Sequence, residues 1–232
     1  MRTKLTPQSA LAIAAILAVL AIIILIGAQD RISFPAQDGW IIHADLYGAS
    51  DRGVVLVHGG GKTKSDWKEQ AQILVKAGFR VLAIDLRGFG LSRDGPLSAN
   101  REAMSFDVLA AVRYLRKTGA KTVAVVGASI GGDATEDALG LATPGEIDRA
   151  VLLAHSAYGP PKKLIGRKLF IVTRDDANDA GLRLPKIRRQ YQRSPEPKEL
   201  VVLDGSAHAQ FVFGTDQGER LMREILRFLS AR

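Results

Sequence analysis

The sequence predicts an α/β fold: a doubly wound, mostly parallel sheet entered through an antiparallel hairpin and preceded by one transmembrane helix. Three observations predict it. Short β-branched runs alternate with amphipathic stretches from Val54 onward. Before them, two alternating runs are joined by the turn Gln37-Asp38-Gly39. Further upstream, residues 10–28 carry no polar side chain. A chain of 232 residues accommodates such a segment plus a domain of about 200 residues, large enough to bury its own core. The expected division is a short basic segment at 1–9, an anchor at 10–28 and an α/β domain at 29–232.

The apolar run comes first. At 1.5 Å rise per residue its helix would span roughly 28 Å, close to the hydrocarbon thickness of a bilayer. The apolar core of a secretory signal is usually about 7–15 residues, shorter than this run, although Gly27-Ala28 offers a small-residue cleavage site. A retained single-pass anchor is the expectation, and secretion after cleavage is the alternative. Arg2 and Lys4 precede the run while only Arg31 follows within about 20 residues, so the positive-inside rule predicts an extracytoplasmic domain.

Residues 31–34 and 40–47 read as the hairpin, with Ile42, Ala44 and Leu46 on one face and His43, Asp45 and Tyr47 on the other. Val54-Val55-Leu56-Val57 is continuous and β-branched, as a strand covered on both faces should be. Further strands are expected at 80–85, 122–126, 149–154, 168–173 and 199–203. Helices are expected at 64–77, 100–117, 131–141, after Asp179, and at 215–230. The second presents Met104, Val108, Val112 and Leu115 on one stripe. The last gathers Leu221, Met222, Ile225, Leu226, Phe228 and Leu229 on one face. Ligands of such sheets bind beyond the carboxyl ends of the strands, so reactive residues should follow strands directly.

Composition removes several classes of chemistry. The chain has no cysteine, which excludes disulfides, cysteine zinc sites and thiol nucleophiles. No metal or cofactor is expected. The formal charge is +8, but Lys162-Lys163, Arg167-Lys168 and Lys186-Ile187-Arg188-Arg189 are not interleaved with stacking aromatics, and no nucleic-acid motif is present. A solvated basic face lying against anionic lipid near the anchor is the expectation.

The chemistry centres on the apolar run 122–126, which ends in Gly127-Ala128-Ser129-Ile130-Gly131. A serine caught between strand and helix needs glycine-sized neighbours two positions away on each side, because the chain turns so sharply there. That turn lifts the hydroxyl of Ser129 clear of the sheet, and the helix starting at Ile130 points free N–H groups toward developing negative charge. The segment resembles the nucleophile elbow of the α/β-hydrolases. His58-Gly59-Gly60-Gly61 with Trp67, and Asp85-Leu86-Arg87-Gly88-Phe89-Gly90-Leu91-Ser92, also resemble that superfamily, and the likeness extends over nearly all of 31–232. A phosphate loop is a poor reading of Gly60-Gly61-Lys62-Thr63, which lacks a glycine at the required spacing.

The resemblance implies a hydrolase whose oxyanion hole is formed by the amides of Gly60 and Ile130, with the Asp85 loop as packing beside the elbow. A serine needs a base, and a histidine works best when a carboxylate fixes its tautomer. Of four histidines, His43 lies in the hairpin, His58 in the glycine loop, and His155 before any later acid. His208 remains, after the last strand, where the family keeps its base. The family's pattern places the acid seven residues beyond the first apolar residue of the preceding strand, which from Leu169 gives Asp176; Asp175 is next and Asp179 last. The order Ser129, Asp176, His208 is the one the family requires. The connection at 156–167 is too short for a helical cap, so a shallow, open pocket for bulky, extended or lipid-like esters is expected. Amide, peptide or thioester cleavage, or a haloperoxidase-like reaction, are the neighbouring readings. A catalytically silent binding protein of the same fold is a reading of a different class.

Overall fold

The structure, a computed structural model, describes residues 29–95 and 100–231. The expected anchor at 10–28 lies outside the described residues, and among those described no helix is long and apolar enough to cross a membrane. Eight strands form one sheet in the order β1-β2-β4-β3-β5-β6-β7-β10: β1 (Gln29–Pro35), β2 (Ile41–Tyr47), β3 (Arg52–Val57), β4 (Arg80–Ile84), β5 (Thr122–Ala128), β6 (Arg149–Leu153), β7 (Arg167–Thr173) and β10 (Lys198–Leu203). Two short strands, β8 (Ala177–Asn178) and β9 (Gly181–Leu182), make a separate hairpin. β1 pairs antiparallel with β2 and β2 antiparallel with β4, and the remaining pairs are parallel.

Both faces of the sheet are covered, which explains the continuous β-branched runs. One face packs against α2 (Met104–Lys117), α3 (Ile130–Leu141) and α4 (Leu184–Arg193); the other against α1 (Lys68–Lys76) and α5 (Gly218–Ser230). α2 buries the expected stripe of Met104, Val108, Val112 and Leu115. α5 buries Leu221, Met222, Ile225, Phe228 and Leu229, while Leu226 is only partly covered. Each such side chain contributes about 1.5–3 kcal/mol, so these stripes fix which way each helix faces.

Three helices differ from expectation at their starts, the last beginning at Gly218 rather than residue 215. The stretch predicted as one helix from residue 64 opens as a 3-10 turn, Lys64–Trp67, before α1. Its cause is tertiary: buried Asp85 accepts from the Lys64 amide at 2.8 Å and from its ammonium at 2.9 Å, pinning the first turn. The helix predicted from residue 100 begins at Met104, because the Asn100 carboxamide accepts the Glu102 amide and holds a turn there instead. The hairpin's second face is also less open than alternation implies, since Asp45 and Tyr47 are buried. β6 and β7 are joined by residues 154–166, which hold only the 3-10 turn Pro161–Lys163 and no helix.

Candidate active site

Ser129 occupies the sharp turn between β5 and α3 with φ 52° and ψ −117°, a left-handed conformation that costs a non-glycine residue about 1–3 kcal/mol. The turn is held from both sides. The Ser129 amide donates to the Leu153 carbonyl at 2.9 Å, and its own carbonyl accepts the Asp133 amide at 2.9 Å to start α3. Gly131 is required because a Cβ there would stand 2.5 Å from the carbonyl oxygens of Val57 and His58. Gly127 is required because its Cβ would meet the Gly131 carbonyl and the Thr135 hydroxyl.

Three of the sequence-predicted residues converge here. His208 follows β10 and lies with Nε2 2.8 Å from the Ser129 hydroxyl and Nδ1 2.8 Å from Asp176 Oδ2. An ionised carboxylate only accepts, so Nδ1 carries the proton and donates it, leaving Nε2 to accept from Ser129. Asp176 is buried, whereas Asp175 and Asp179 are exposed. The separation follows from the turn after β7: the Asp175 amide donates to Gly205, and the chain then folds Asp176 inward. Arg183, unforeseen from the sequence, sets its Nε 3.3 Å from the other oxygen of Asp176, and its amide donates to the Asp176 carbonyl at 2.9 Å. Thr173 Oγ1 donates to Ala207 at 2.9 Å, tying the end of β7 to the residue before His208. The imidazole remains 29% exposed.

The glycine loop flanks the serine. A Cβ added at Gly59 would stand 3.4 Å from that of Ser129, and one added at Gly60 would stand 4.0 Å from the Ile130 side chain. His58 is fully buried, and its Nε2 accepts the Leu86 amide at 3.1 Å, so Nδ1 carries the proton and donates to the Gly59 carbonyl at 2.8 Å. Burial holds His58 below its ordinary pKa, in keeping with that neutral tautomer. Gln210 clamps the same residue from the other side, its Oε1 accepting the Gly59 amide at 2.7 Å. Nothing in the spacing signals Gln210, because its partner lies 151 positions away.

The remaining buried histidine is bound elsewhere. His155 is completely buried, its Nε2 lies 2.6 Å from Gln190 Oε1, and burial lowers its pKa. Gln190 in turn donates to Glu136, whose carboxyl is pushed up to about 7 chiefly by burial. The Asp85 loop is a structural brace. Arg87 is buried between Asp107 and Asp38, with contacts of 2.6 and 2.5 Å.

The comparisons with known proteins agree with this architecture. Residues 48–174 match the family model described as serine aminopeptidase, S33. Over 122 residues the chain is 32% identical to a 2-hydroxy-6-oxononadienedioate/2-hydroxy-6-oxononatrienedioate hydrolase of Cupriavidus pinatubonensis, covering 51% of this chain and 41% of that protein. Over 118 residues it is 32% identical to a non-heme haloperoxidase of Rhodococcus erythropolis, covering 51% and 42%. The chain thus spans less than half the length of the curated relatives it matches. Among solved structures, the Pyrococcus furiosus esterase Pf2001 superposes with a TM-score of 0.74 at 19% identity, over 99% of this chain and 96% of that one. A Bacillus anthracis bromoperoxidase superposes at 0.71 with 15% identity, over 87% and 100%. These structural likenesses concern the fold, and the family match covers more than half of the chain: this protein belongs to the serine aminopeptidase S33 family of the α/β-hydrolase superfamily.

Proposed function

We propose that the protein is a serine hydrolase that cleaves carboxylic esters through an acyl-enzyme on Ser129. The observation that carries this reading is the unbroken run of 2.8 Å contacts from Asp176 through His208 to the Ser129 hydroxyl. In this reading Ser129 Oγ attacks the ester carbonyl carbon as its proton passes to His208 Nε2. The oxyanion is stabilised by the amide of Gly60, in the glycine loop, and that of Ile130, the residue after the nucleophile. His208 then gives its proton to the departing alcohol oxygen as the carbon–oxygen bond breaks. Water, deprotonated by the same imidazole, attacks the acyl group and restores Ser129. Asp176 keeps the imidazole in the donating tautomer throughout.

The short connection between β6 and β7 supports an uncapped, accessible site. Residues 10–28 complete the proposal as a single membrane span with the domain on the extracytoplasmic side. Protease protection of the domain in intact cells tests that placement, and release of a shortened soluble product would identify cleavage instead.

Labelling by a fluorophosphonate, lost in Ser129→Ala, tests the nucleophile. Turnover of p-nitrophenyl esters of graded chain length tests the substrate class. A wild-type chain that neither labels nor turns over would leave the fold as a binding scaffold. The family description favours one second reading, cleavage of an amide at a peptide N-terminus, and amino-acid p-nitroanilides cleaved faster than the matching esters would move the assignment there.

A further inference from the structure

β3, β4, β6, β7 and β10 each open on a basic residue, namely Arg52, Arg80, Arg149, Arg167 and Lys198, and Lys121 immediately precedes β5. Parallel strands begin at one end of a sheet, so these charges share the end opposite Ser129. A seven-residue strand at about 3.3 Å per residue separates the two ends by roughly 20 Å. At the basic end a cavity of about 620 Å³ is lined by Arg52, Arg149 and Arg167 and walled by Phe79 and Leu229, and among the described residues that line it the one carboxylate is Asp148. Asp148 is already engaged, accepting the Val123 amide at 2.7 Å and pairing with Arg116 at 2.5 Å.

Arg52 lies 4.0 Å over the Phe79 ring, and Arg149 donates to the carbonyls of Phe228 and Ala231. Among the described residues, neither has a carboxylate in an ion pair. Nearby acids are matched to other cations, Asp51 to Lys121 and Glu199 to Arg227. Burial, and then the like charges of Arg167 and Arg52 against the opposing pull of Asp148, hold Arg149 below its ordinary pKa. Like charges gathered around a hollow attract an anion. The chain also enters the sheet at this end: Gln29 pairs with Tyr47, and Tyr47 pairs with Val81 near the start of β4. The apolar run at 10–28 directly precedes that entry.

We propose that this basic end of the sheet is a docking surface for an anionic bilayer, with a phospholipid headgroup phosphate entering the cavity between Arg52 and Arg149. The domain would then stand with Ser129 facing away from the membrane, taking substrate from the aqueous side rather than from the bilayer to which it is attached. This rests on the anchoring reading only for the tether, and its test does not use hydrolysis.

Because the chain has no cysteine, a single introduced thiol is labelled uniquely. The full chain as Ser230→Cys carries a fluorophore at the basic end, and as Leu182→Cys near the Ser129 end; both positions are exposed. Energy transfer to a headgroup acceptor is measured in phosphatidylcholine vesicles with and without phosphatidylglycerol. Transfer from position 230 is expected to exceed that from 182 severalfold on anionic vesicles. It should fall toward the neutral-vesicle level when salt shortens the Debye length from about 10 Å at 0.1 M to about 3 Å at 1 M. Arg52→Gln with Arg149→Gln should have the same effect as neutral lipid. Lys121→Gln, which breaks only an exposed pair and spares the fold, should give part of it. Equal transfer on neutral and anionic vesicles, or greater transfer from 182, overturns the proposal. Binding of inorganic phosphate without any lipid dependence also overturns it, assigning the cavity to a soluble phosphate ester. A chain held by anionic vesicles but released from neutral ones refutes the anchor and keeps the docking surface; a chain retained on both with equal transfer does the reverse.

Discussion

Gln210 Oε1 accepts the amide proton of Gly59 at 2.7 Å, joining the segment after His208 to the glycine loop beside Ser129. His58 holds the Gly59 carbonyl from the opposite side. A trans peptide points its N–H away from its carbonyl, so fixing the Gly59 carbonyl also fixes the direction of the Gly60 amide. The loop and the histidine are therefore positioned as one unit.

Gln210→Ala should accordingly impair turnover without dismantling the Ser129–His208–Asp176 contacts. Removing a buried acceptor from a backbone amide costs about 1–3 kcal/mol. If that loss falls on oxyanion alignment, kcat drops by roughly tenfold while KM changes little. Steady-state ester kinetics alongside a thermal melt check it. A variant with unaltered kcat would show that the Gly60 amide needs no such support.

Asparagine substitutions separate the neighbouring aspartates. Asp176 is buried against His208 Nδ1, whereas Asp175 faces solvent and uses only its backbone amide in the turn. Asp176→Asn should lower kcat by about 10⁴-fold, because an amide can donate to Nδ1 and stabilise the wrong tautomer. Asp175→Asn should remain within a few-fold of wild type. Comparable losses at both positions would contradict the assignment.

Much of this arrangement is legible in the sequence because it depends on local geometry. The Gly127-x-Ser129-x-Gly131 spacing needs only its own strand and helix, and β-branched runs mark the parallel strands. Ser129, Asp176 and His208 each follow such a run directly. What is illegible depends on distant neighbours. The 3-10 turn at Lys64 is dictated by Asp85, the clamp on Gly59 by Gln210, and the second oxygen of Asp176 is faced by Arg183 only because β8 and β9 fold back. The basic end likewise emerges only once strand direction lines up residues that lie far apart in the chain.

The elbow's glycines should tolerate no side chain. Gly131→Ala puts a Cβ against two backbone oxygens that cannot swing aside, so a loss of roughly 3 kcal/mol is expected from overpacking alone. Gly145→Ala is the control. Its φ is 82° with nothing within 4 Å of the added Cβ, so only backbone strain of about 1 kcal/mol applies. Chemical denaturation of both variants measures the difference, and equal losses would mean that the elbow has room to relax.

Glu136 makes stability depend on pH. Buried beside Gln190, and repelled by Asp133 and Asp137, its carboxyl titrates at about 7 in the folded protein against an ordinary 4.5. Below 4.5 it is protonated in folded and unfolded chains alike and contributes no difference. As pH rises from 4.5 to about 7, the unfolded chain ionises first, so the folded state loses relative stability, up to about 3 kcal/mol once both are ionised. Glu136→Gln stays neutral and still offers Gln190 an oxygen to bond. Its unfolding free energy should therefore match wild type in acid, fall less steeply through this window, and exceed wild type in alkali. His155, whose Nε2 stands 3.9 Å from the other Glu136 oxygen and whose pKa burial lowers, adds an opposite slope on acidification, so the comparison is read above pH ~6.5, the ordinary histidine value, where that slope has levelled off. Denaturation curves collected above that value decide it: parallel profiles for the two proteins would mean that Glu136 is ionised in the folded chain throughout.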